Sequence, residues 1–348
     1  MADKYVGLDV HKATTSYCVR ESTGKVVAEG VVETSAEALV SLVRSISGRV
    51  HVALEEGTQA QWLYELLNPL VSRVVVCDPS KLKNKGNKND RIDASRLAEL
   101  LRLNALSSVY HGEHGTRGLK ELVRAHRQLV QDVVRMKNRV MAIFRSRGVA
   151  VPSGEGYHPD KRDQHVAKLQ LEPLQQRLQW YFEQVDVFER LRREAERSML
   201  KEARRHRGCR ILKTVPGIGP IRAAQIVAVA DTPHRFRTSS QWRSYVGFAV
   251  VMRSSSDYRR TDDGFVRKTR HSTRGLNRNC NRFLKAAFKS AALDAIAKYP
   301  DWKAYFETLC ANGLEPEIAR VCVARKLAGI ALTLWKKGEH YDASKLQM

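Results

Sequence analysis

The sequence predicts an α/β domain at its N-terminal end and a mostly helical remainder. Three short segments rich in β-branched residues open the chain, which indicates a sheet. From Leu119 onward, apolar residues instead recur at steps of three and four, the spacing of packed helices. The chain has 348 residues, 43% of them hydrophobic, and so can build two or three domains at ~100–200 residues each.

The first predicted domain covers residues 1–110. Turn-forming or charged residues separate its first three strands, which predicts an antiparallel meander. The predicted elements are strands at 4–10, 14–20 and 25–33, a helix capped by Ser35, a strand at 50–54, a helix at 61–70, a strand at 72–77 and a helix at 94–103. This βββαβαβα order is that of the ribonuclease-H-like fold.

The second predicted region, residues 115–203, is a coiled-coil arm. Two seams of mostly apolar residues at heptad spacing predict it. The first consists of Leu119, Leu122, His126, Leu129, Val133, Met136, Val140 and Ile143. The second consists of Leu174, Leu178, Tyr181, Val185, Phe188, Arg192, Ala195 and Met199. A Gly- and Pro-containing stretch at 148–159 separates them, so we expect an antiparallel pair. Such a pair could join two domains or form a dimerisation arm, and the seam does not distinguish these possibilities.

The third predicted region, residues 208–348, is mostly helical and strongly basic. The whole chain carries a formal net charge of +23, which argues against a neutral-surfaced metabolic enzyme and favours nucleic acid as partner, with an anionic membrane surface second. Between Arg235 and Lys285, 13 Lys and Arg residues stand against three acidic ones. This asymmetry predicts a phosphate-contacting surface. We expect Trp180, Trp242, Trp302 and Trp335 to be core or seam residues.

Several common protein classes are not expected from this sequence. Its apolar runs are far too short for a membrane span, and its first residues lack the pattern of a secretory signal. Its six cysteines are scattered without any CxxC pair, which argues against a zinc site and a disulfide framework. These features fit a reducing cytoplasm.

Four carboxylates stand where predicted elements end or begin. Asp9 ends the first strand, Glu55 follows the strand at 50–54, and Asp90 and Asp93 stand near a helix start. Hard carboxylate oxygens are the ligands that Mg²⁺ prefers, so together the four predict a divalent-metal site. Each acid alone is more often a cap or a solvated side chain. Glu56 is the alternative to Glu55.

Residues 215–224, VPGIGPIRAA, have the pattern of a helix-hairpin-helix. In such a turn, Gly217 and Gly219 would let the backbone approach a phosphate, and the next helix would offer its N-terminus. A tight interhelical turn without a ligand is the alternative. The basic surroundings favour the phosphate.

The motifs YVGLDVHK, ALEEGTQAQWLYELL, KNDRIDASRLAELL, TVPGIGPIRAAQIVA and QWRSYVGF together resemble the insertion sequence 110 family of transposases. The resemblance extends from Tyr5 to about Ala295. It implies a RuvC-like domain whose Asp-Glu-Asp-Asp tetrad binds Mg²⁺. We expect this site to hold two ions. Matched motif by motif, the tetrad falls on Asp9, Glu55, Asp90 and Asp93. The resemblance also implies a C-terminal transposase domain that works with a structured noncoding guide RNA, the bridge RNA.

In the same family a serine nucleophile follows the motif present here as Tyr245-Val-Gly-Phe, which implies Ser255. Ser254 and Ser256 are alternatives, because three serines stand together. The neighbouring basic residues expected to contact nucleic acid are Arg253, Arg259, Arg260, Arg267, Lys268, Arg270 and Arg274. From the residues alone, a loop that only grips phosphates would be favoured over a nucleophile. The family resemblance reverses that order.

The resemblance implies DNA recombination between donor and target DNA through a transient phosphoserine bond. We expect a homodimer or homotetramer, because recombination holds several strands at once. The enzymatic alternative is a Holliday-junction resolvase or ribonuclease-H-like nuclease that uses metal-activated water. The other alternative is a nucleic-acid-binding protein without catalytic activity.

Overall fold

The computed structural model describes residues 2–79, 89–112, 115–252, 258–261, 264–267 and 273–345. The chain divides into two compact units, Met1–Glu113 and His114–Met348. The first unit is an α/β structure, and the second is helical with two small antiparallel strand pairs. None of the described helices combines the length and apolarity that a membrane crossing needs.

The first unit contains one five-stranded sheet. Its elements are β1 (Asp3–Val10), β2 (Thr14–Glu21), β3 (Val26–Glu33), α1 (Ala36–Ser45), β4 (Arg49–Glu55), α2 (Ala60–Leu67), β5 (Arg73–Cys77) and α3 (Asp90–Arg102). The strand order is β3-β2-β1-β4-β5, in which β1, β2 and β3 form the predicted antiparallel meander and β4 and β5 add parallel strands. This arrangement is consistent with the predicted ribonuclease-H-like fold.

Local capping sets the helix boundaries of this unit. The Ser35 hydroxyl accepts a hydrogen bond from the Ala38 amide at 3.3 Å, which confirms the predicted N-cap of α1. The Asn89 side chain accepts one from the Ile92 amide at 2.8 Å. α3 therefore begins at Asp90, four residues before the predicted start. α2 ends at Leu67, three residues before the predicted end, and Asn68 is its C-cap.

The sheet is covered on both faces. Val6, Leu8, Val52 and Leu54 belong to a buried cluster that also contains residues of α1 and α2. Side chains alternate along a strand, so the residues between these point to the other face. There Ala53 packs with Leu97 and Leu101 of α3, among others. α3 thus covers the face opposite α1 and α2.

The second unit is built mainly from helices. They are α4 (Arg117–Ser146), α5 (Arg162–Val166), α6 (Glu172–Ala203), α7 (Arg207–Leu212), α8 (Pro220–Ala230), α9 (Ser239–Tyr245), α10 (Arg282–Lys298), α11 (Pro300–Ala311) and α12 (Pro316–Lys337). Four short strands were not predicted: β6 (Val250–Met252), β7 (Tyr258–Thr261), β8 (Gly264–Arg267) and β9 (Thr273–Leu276). β6 pairs with β9 and β7 pairs with β8, both antiparallel.

The long helices α4 and α6 pack against each other in opposite directions. Lys137 donates to Glu189 at 2.6 Å, and farther back along α4 His126 lies 3.6 Å from Glu196, which is farther forward along α6. Their outer parts enclose a separate apolar cluster. Their inner ends, including Leu119, belong to the main core of the unit.

Three of the four tryptophans predicted to be core or seam residues of the second unit are buried, and the fourth is exposed. Trp242, Trp302 and Trp335 are buried as predicted, and the Trp242 indole donates to the Ala328 carbonyl at 2.8 Å. Trp180 is 56% exposed, so its prediction was wrong. It stands two residues from the buried Leu178, and two residues turn a helix by about 200°, which places it on the outer face of α6.

Candidate metal centre

Asp9 and Glu55 lie side by side at the carboxyl ends of two adjacent parallel strands. β1 and β4 pair with Leu8 opposite Leu54. The next residue of β1 is Asp9 and the next residue of β4 is Glu55, so these two positions are neighbours across the strands. Both leucines point to the α1 and α2 side, and the two acids therefore belong to the face that α3 covers. The sheet thus brings both positions to the α3 side, and Asp9 lies close enough to Asp90 and Asp93 of the first turn of α3 to interact with their charges.

Gly7 allows α3 to approach the sheet closely. A Cβ atom at this position would lie 2.1 Å from the Ala94 carbonyl oxygen and 2.5 Å from the Ala98 amide nitrogen. Only glycine accommodates that approach. The first turn of α3, which carries Asp90 and Asp93, consequently lies close to the end of β1.

Among the described residues, one group of three potential metal ligands lies close together, and it consists of Asp9, His11 and Asp90. One His11 ring nitrogen lies 3.4 Å from an oxygen of Asp9 and 3.4 Å from an oxygen of Asp90. One potential ligand atom from each of the three residues lies within 4.8 Å of the other two. Such a group has the size and donor chemistry of a cation site.

The pKa of Asp9 depends on its burial, on His11 and on two neighbouring carboxylates. Burial raises the pKa of Asp9, and the negative charges of Asp90 and Asp93 raise it further, whereas His11 lowers it. Asp93 thus acts on Asp9 electrostatically although it lies outside the three-residue cluster. Glu55 also lies outside it, and its charge contributes to the raised pKa of the Cys77 thiol.

Glu56 takes part in a different set of contacts. Its carboxylate lies 2.7 Å from Nε2 of His111, whose Nδ1 lies 2.8 Å from the Gln61 side-chain oxygen. The Gln61 amide nitrogen donates to Glu65 at 2.6 Å, so the Gln61 oxygen is the acceptor for His111. The His111 ring also packs against Tyr64, with centroids 5.3 Å apart.

Two participants in this region were not assigned from the sequence. His11 stands two residues after Asp9 in DVHK, and that spacing was its only signal. His111 comes 55 residues after Glu56, and no local pattern connects them.

The predicted sites of the second unit are described only in part. Six of the residues predicted there lie outside the described residues: Arg253, Ser254, Ser255, Ser256, Lys268 and Arg270. Arg259 and Arg260 belong to β7, Arg267 to β8 and Arg274 to β9, and Arg260 is exposed. Within the basic segment from Arg235 to Lys285, the described strands form two antiparallel pairs, β6 with β9 and β7 with β8.

The two glycines of the predicted helix-hairpin-helix differ in their surroundings. Gly217 has a positive φ of 74° and is buried, and a Cβ there would lie 2.1 Å from the Ala291 carbonyl oxygen of α10. Gly219 is the N-cap of α8, and a Cβ there would have no heavy atom within 4 Å. Gly217 thus serves the contact with α10, and phosphate binding at this turn stays a prediction.

Two family models match the chain. Residues 6–146 match the DEDD transposase model of IS110, and residues 209–307 match a model described as the transposase of the IS116/IS110/IS902 family.

Two curated relatives are also transposases. The chain is 29% identical over 158 residues to the transposase y4qE of Sinorhizobium fredii, an alignment that covers 43% of this chain and 40% of the relative. It is 22% identical over 260 residues to the transposase for insertion sequence element IS1111A of Coxiella burnetii, which covers 73% of this chain and 70% of the relative. The chain therefore matches less than half the length of the first relative.

Proposed function

Because the chain belongs to the insertion sequence 110 family of transposases, we propose that it cuts and rejoins DNA strands during transposition. The observation that carries the proposal is the cluster of Asp9, His11 and Asp90 at the carboxyl end of parallel strands. Its substrates are the donor and target DNA of an insertion sequence.

The donor set of the first unit suits Mg²⁺. The ion prefers hard carboxylate oxygens, and the acids around Asp9 repel one another in its absence. We propose that Asp9, Glu55, Asp90 and Asp93 hold two ions, which when bound would stabilise the attacking and leaving oxygens of the phosphodiester. By holding the ions, these residues would position the scissile phosphate, and His11 contacts the carboxylates of Asp9 and Asp90.

The contacts of Glu56 favour Glu55 as the ligand. The carboxylate of Glu56 is already bound to His111, whereas Glu55 belongs to the face of β4 that α3 covers. If Glu56 were the metal ligand, its carboxylate would have to leave the imidazole of His111, which is largely buried. Glu55 is therefore the proposed ligand.

The proposed chemistry in the second unit is attack by a serine. The Ser255 oxygen would form a bond to phosphorus while the bond from phosphorus to the leaving sugar oxygen breaks. The serine proton passes to a base or water, and the leaving oxygen gains a proton. The phosphoserine bond conserves the phosphodiester energy, so a second strand can displace the serine without ATP.

A structured noncoding RNA is the proposed guide that pairs with donor and target DNA. We propose that α4 and α6 act as a coiled-coil arm at the interface of a homodimer or homotetramer. The apolar cluster and the Lys137–Glu189 pair support the association of these two helices within one chain. The net charge of +23 supports a polyanionic partner.

The metal site is tested with Asp9→Asn, Glu55→Gln, Asp90→Asn and Asp93→Asn. Each variant should keep its fold, lose Mg²⁺ binding by calorimetry and lose strand cleavage of element-end DNA in the presence of guide RNA. Glu56→Gln is the adjacent control, and Asp160→Asn removes one exposed carboxylate far along the chain. Normal cleavage by the four folded variants, or loss only in Glu56→Gln, would contradict the assignment.

The serine is tested by trapping the protein on a suicide DNA substrate. Wild-type protein should yield one phosphorylated peptide by mass spectrometry, and Ser255→Ala should bind RNA and DNA nearly normally but give no adduct. An adduct on Ser254 or Ser256 would move the nucleophile by one residue. Full recombination by the triple alanine variant would instead favour the resolvase alternative with metal-activated water.

A further inference from the structure

We propose that the hairpin formed by β7 and β8 is a base-stacking platform for unpaired nucleotides of DNA or RNA. The platform consists of Tyr258, Arg260 and Phe265 on one face of the hairpin. This inference rests on the proposed function, because it takes a nucleic acid as the partner. None of these three residues is a proposed metal ligand or the proposed nucleophile.

The strand register places these three residues together. Arg260 is paired with Phe265 across the hairpin, and directly opposite residues of an antiparallel pair point to the same face. Tyr258 stands two residues before Arg260 and so shares that face. Val266 is paired with Arg259, and both positions belong to the opposite face.

The aromatic side chains of this face are unusually open to solvent. Phe265 is 77% exposed, more than any other large hydrophobic residue among those the structure describes, and Tyr258 is 55% exposed. The two-stranded hairpin has strands of only four residues each. Exposed aromatic rings on such a small element are typical of a surface that a partner covers.

The chemistry of the platform matches a nucleotide. A nucleobase offers a flat π face to Phe265 or Tyr258, and the Arg260 guanidinium directly opposite Phe265 can bind the phosphate of the same strand. Three arginines stand among the eight residues of the two strands. The three acidic residues near them in the sequence are Asp257, Asp262 and Asp263. In the wider segment from Arg235 to Lys285, 13 Lys and Arg residues stand against these three. That excess favours nucleic acid over an apolar protein surface.

The stacking chemistry also indicates which state of the nucleic acid the platform would bind. Bases within an intact duplex already stack on each other, so the platform should prefer unpaired nucleotides, such as those of an opened DNA end.

The test measures binding by the full-length protein in EDTA, where strand cleavage does not contribute. The probes are single-stranded DNA, single-stranded RNA and duplex DNA that carry one 2-aminopurine, whose emission reports base stacking. Phe265→Ala and Tyr258→Ala should each weaken single-strand binding on the order of 5- to 100-fold and abolish the emission change on binding. Their duplex affinity should change much less.

The hairpin itself supplies the controls. Val266→Ala, on the opposite face, should bind like wild type, and Phe265→Tyr should retain stacking. Unchanged single-strand affinity in both aromatic variants, or equal loss in Val266→Ala, would overturn the platform. An altered sedimentation coefficient of the free variants with normal nucleic-acid affinity would assign the face to protein association instead. Loss of cleavage in the metal-site variants would not affect this result, since binding is measured without metal.

Discussion

Replacing Gly7 by alanine should separate Asp9 from the first turn of α3. The new Cβ would lie 2.1 Å from the Ala94 carbonyl oxygen and 2.5 Å from the Ala98 amide nitrogen, and both are backbone atoms. No side-chain rotation relieves this overlap, so α3 must retreat by about 1.3 Å to reach ordinary contact. Overpacking of this kind costs ~1–3 kcal/mol of stability. A displacement of ~1 Å at a reacting site can cost ~10²-fold in rate.

Two measurements on one protein preparation separate these effects. Urea unfolding should show the loss of stability, and Mg²⁺-dependent cleavage of element-end DNA should show a further loss at temperatures where Gly7→Ala is fully folded. Gly57→Ala is the stability control, because a Cβ there meets no heavy atom within 4 Å and its cost should stay within about 0.5 kcal/mol. Wild-type stability and cleavage in Gly7→Ala would refute the close approach of α3.

Three further results are expected. If ~6–10 phosphates are neutralised, DNA affinity measured by fluorescence anisotropy should fall on the order of 10³–10⁵ between 50 and 200 mM salt, and a flat profile would contradict phosphate binding by Arg235 to Lys285. Burial raises the pKa of Cys77 and of Cys209 to about 12. Unfolded thiols lose their protons at lower pH, so urea unfolding should show stability falling above pH ~9, by at most ~1.4 kcal/mol per pH unit for each thiol, and less in Cys→Ala variants. Trp242→Phe removes the bond to the Ala328 carbonyl and should cost ~1–3 kcal/mol by urea unfolding, whereas no loss would show that the bond adds no net stability.

The sheet of the first unit was predictable because its signals are local. β-branched runs mark the strands, and the Ser35 cap marks the start of α1. The acids at strand ends were identifiable because the carboxyl ends of parallel strands meet at one edge. The exact start of α3 was missed because Asn89 and the acids after it are all suitable caps, and only the backbone geometry shows which one accepts the hydrogen bond.

The remaining features depend on contacts between distant residues. The bond between Glu56 and His111 has no local pattern, and many histidines are structural. The strands β6 to β9 have three or four residues each and lie among arginines and glycines, so no alternation indicates them. The exposure of Trp180, by contrast, was predictable, because Trp180 stands between the seam positions Leu178 and Tyr181 and not on the seam itself.

The inner ends of α4 and α6 pack in the main core of the second unit, and this packing has a consequence for the order of folding during synthesis. Leu119 and Val123 belong to the same core as Leu332 and Trp335, which the ribosome adds roughly two hundred residues later. At ~5–20 residues per second, the inner end of α4 remains without those partners for on the order of ten to forty seconds. The first unit has its own core and can fold during this interval. The nascent second unit should therefore be the part of the chain that chaperones bind.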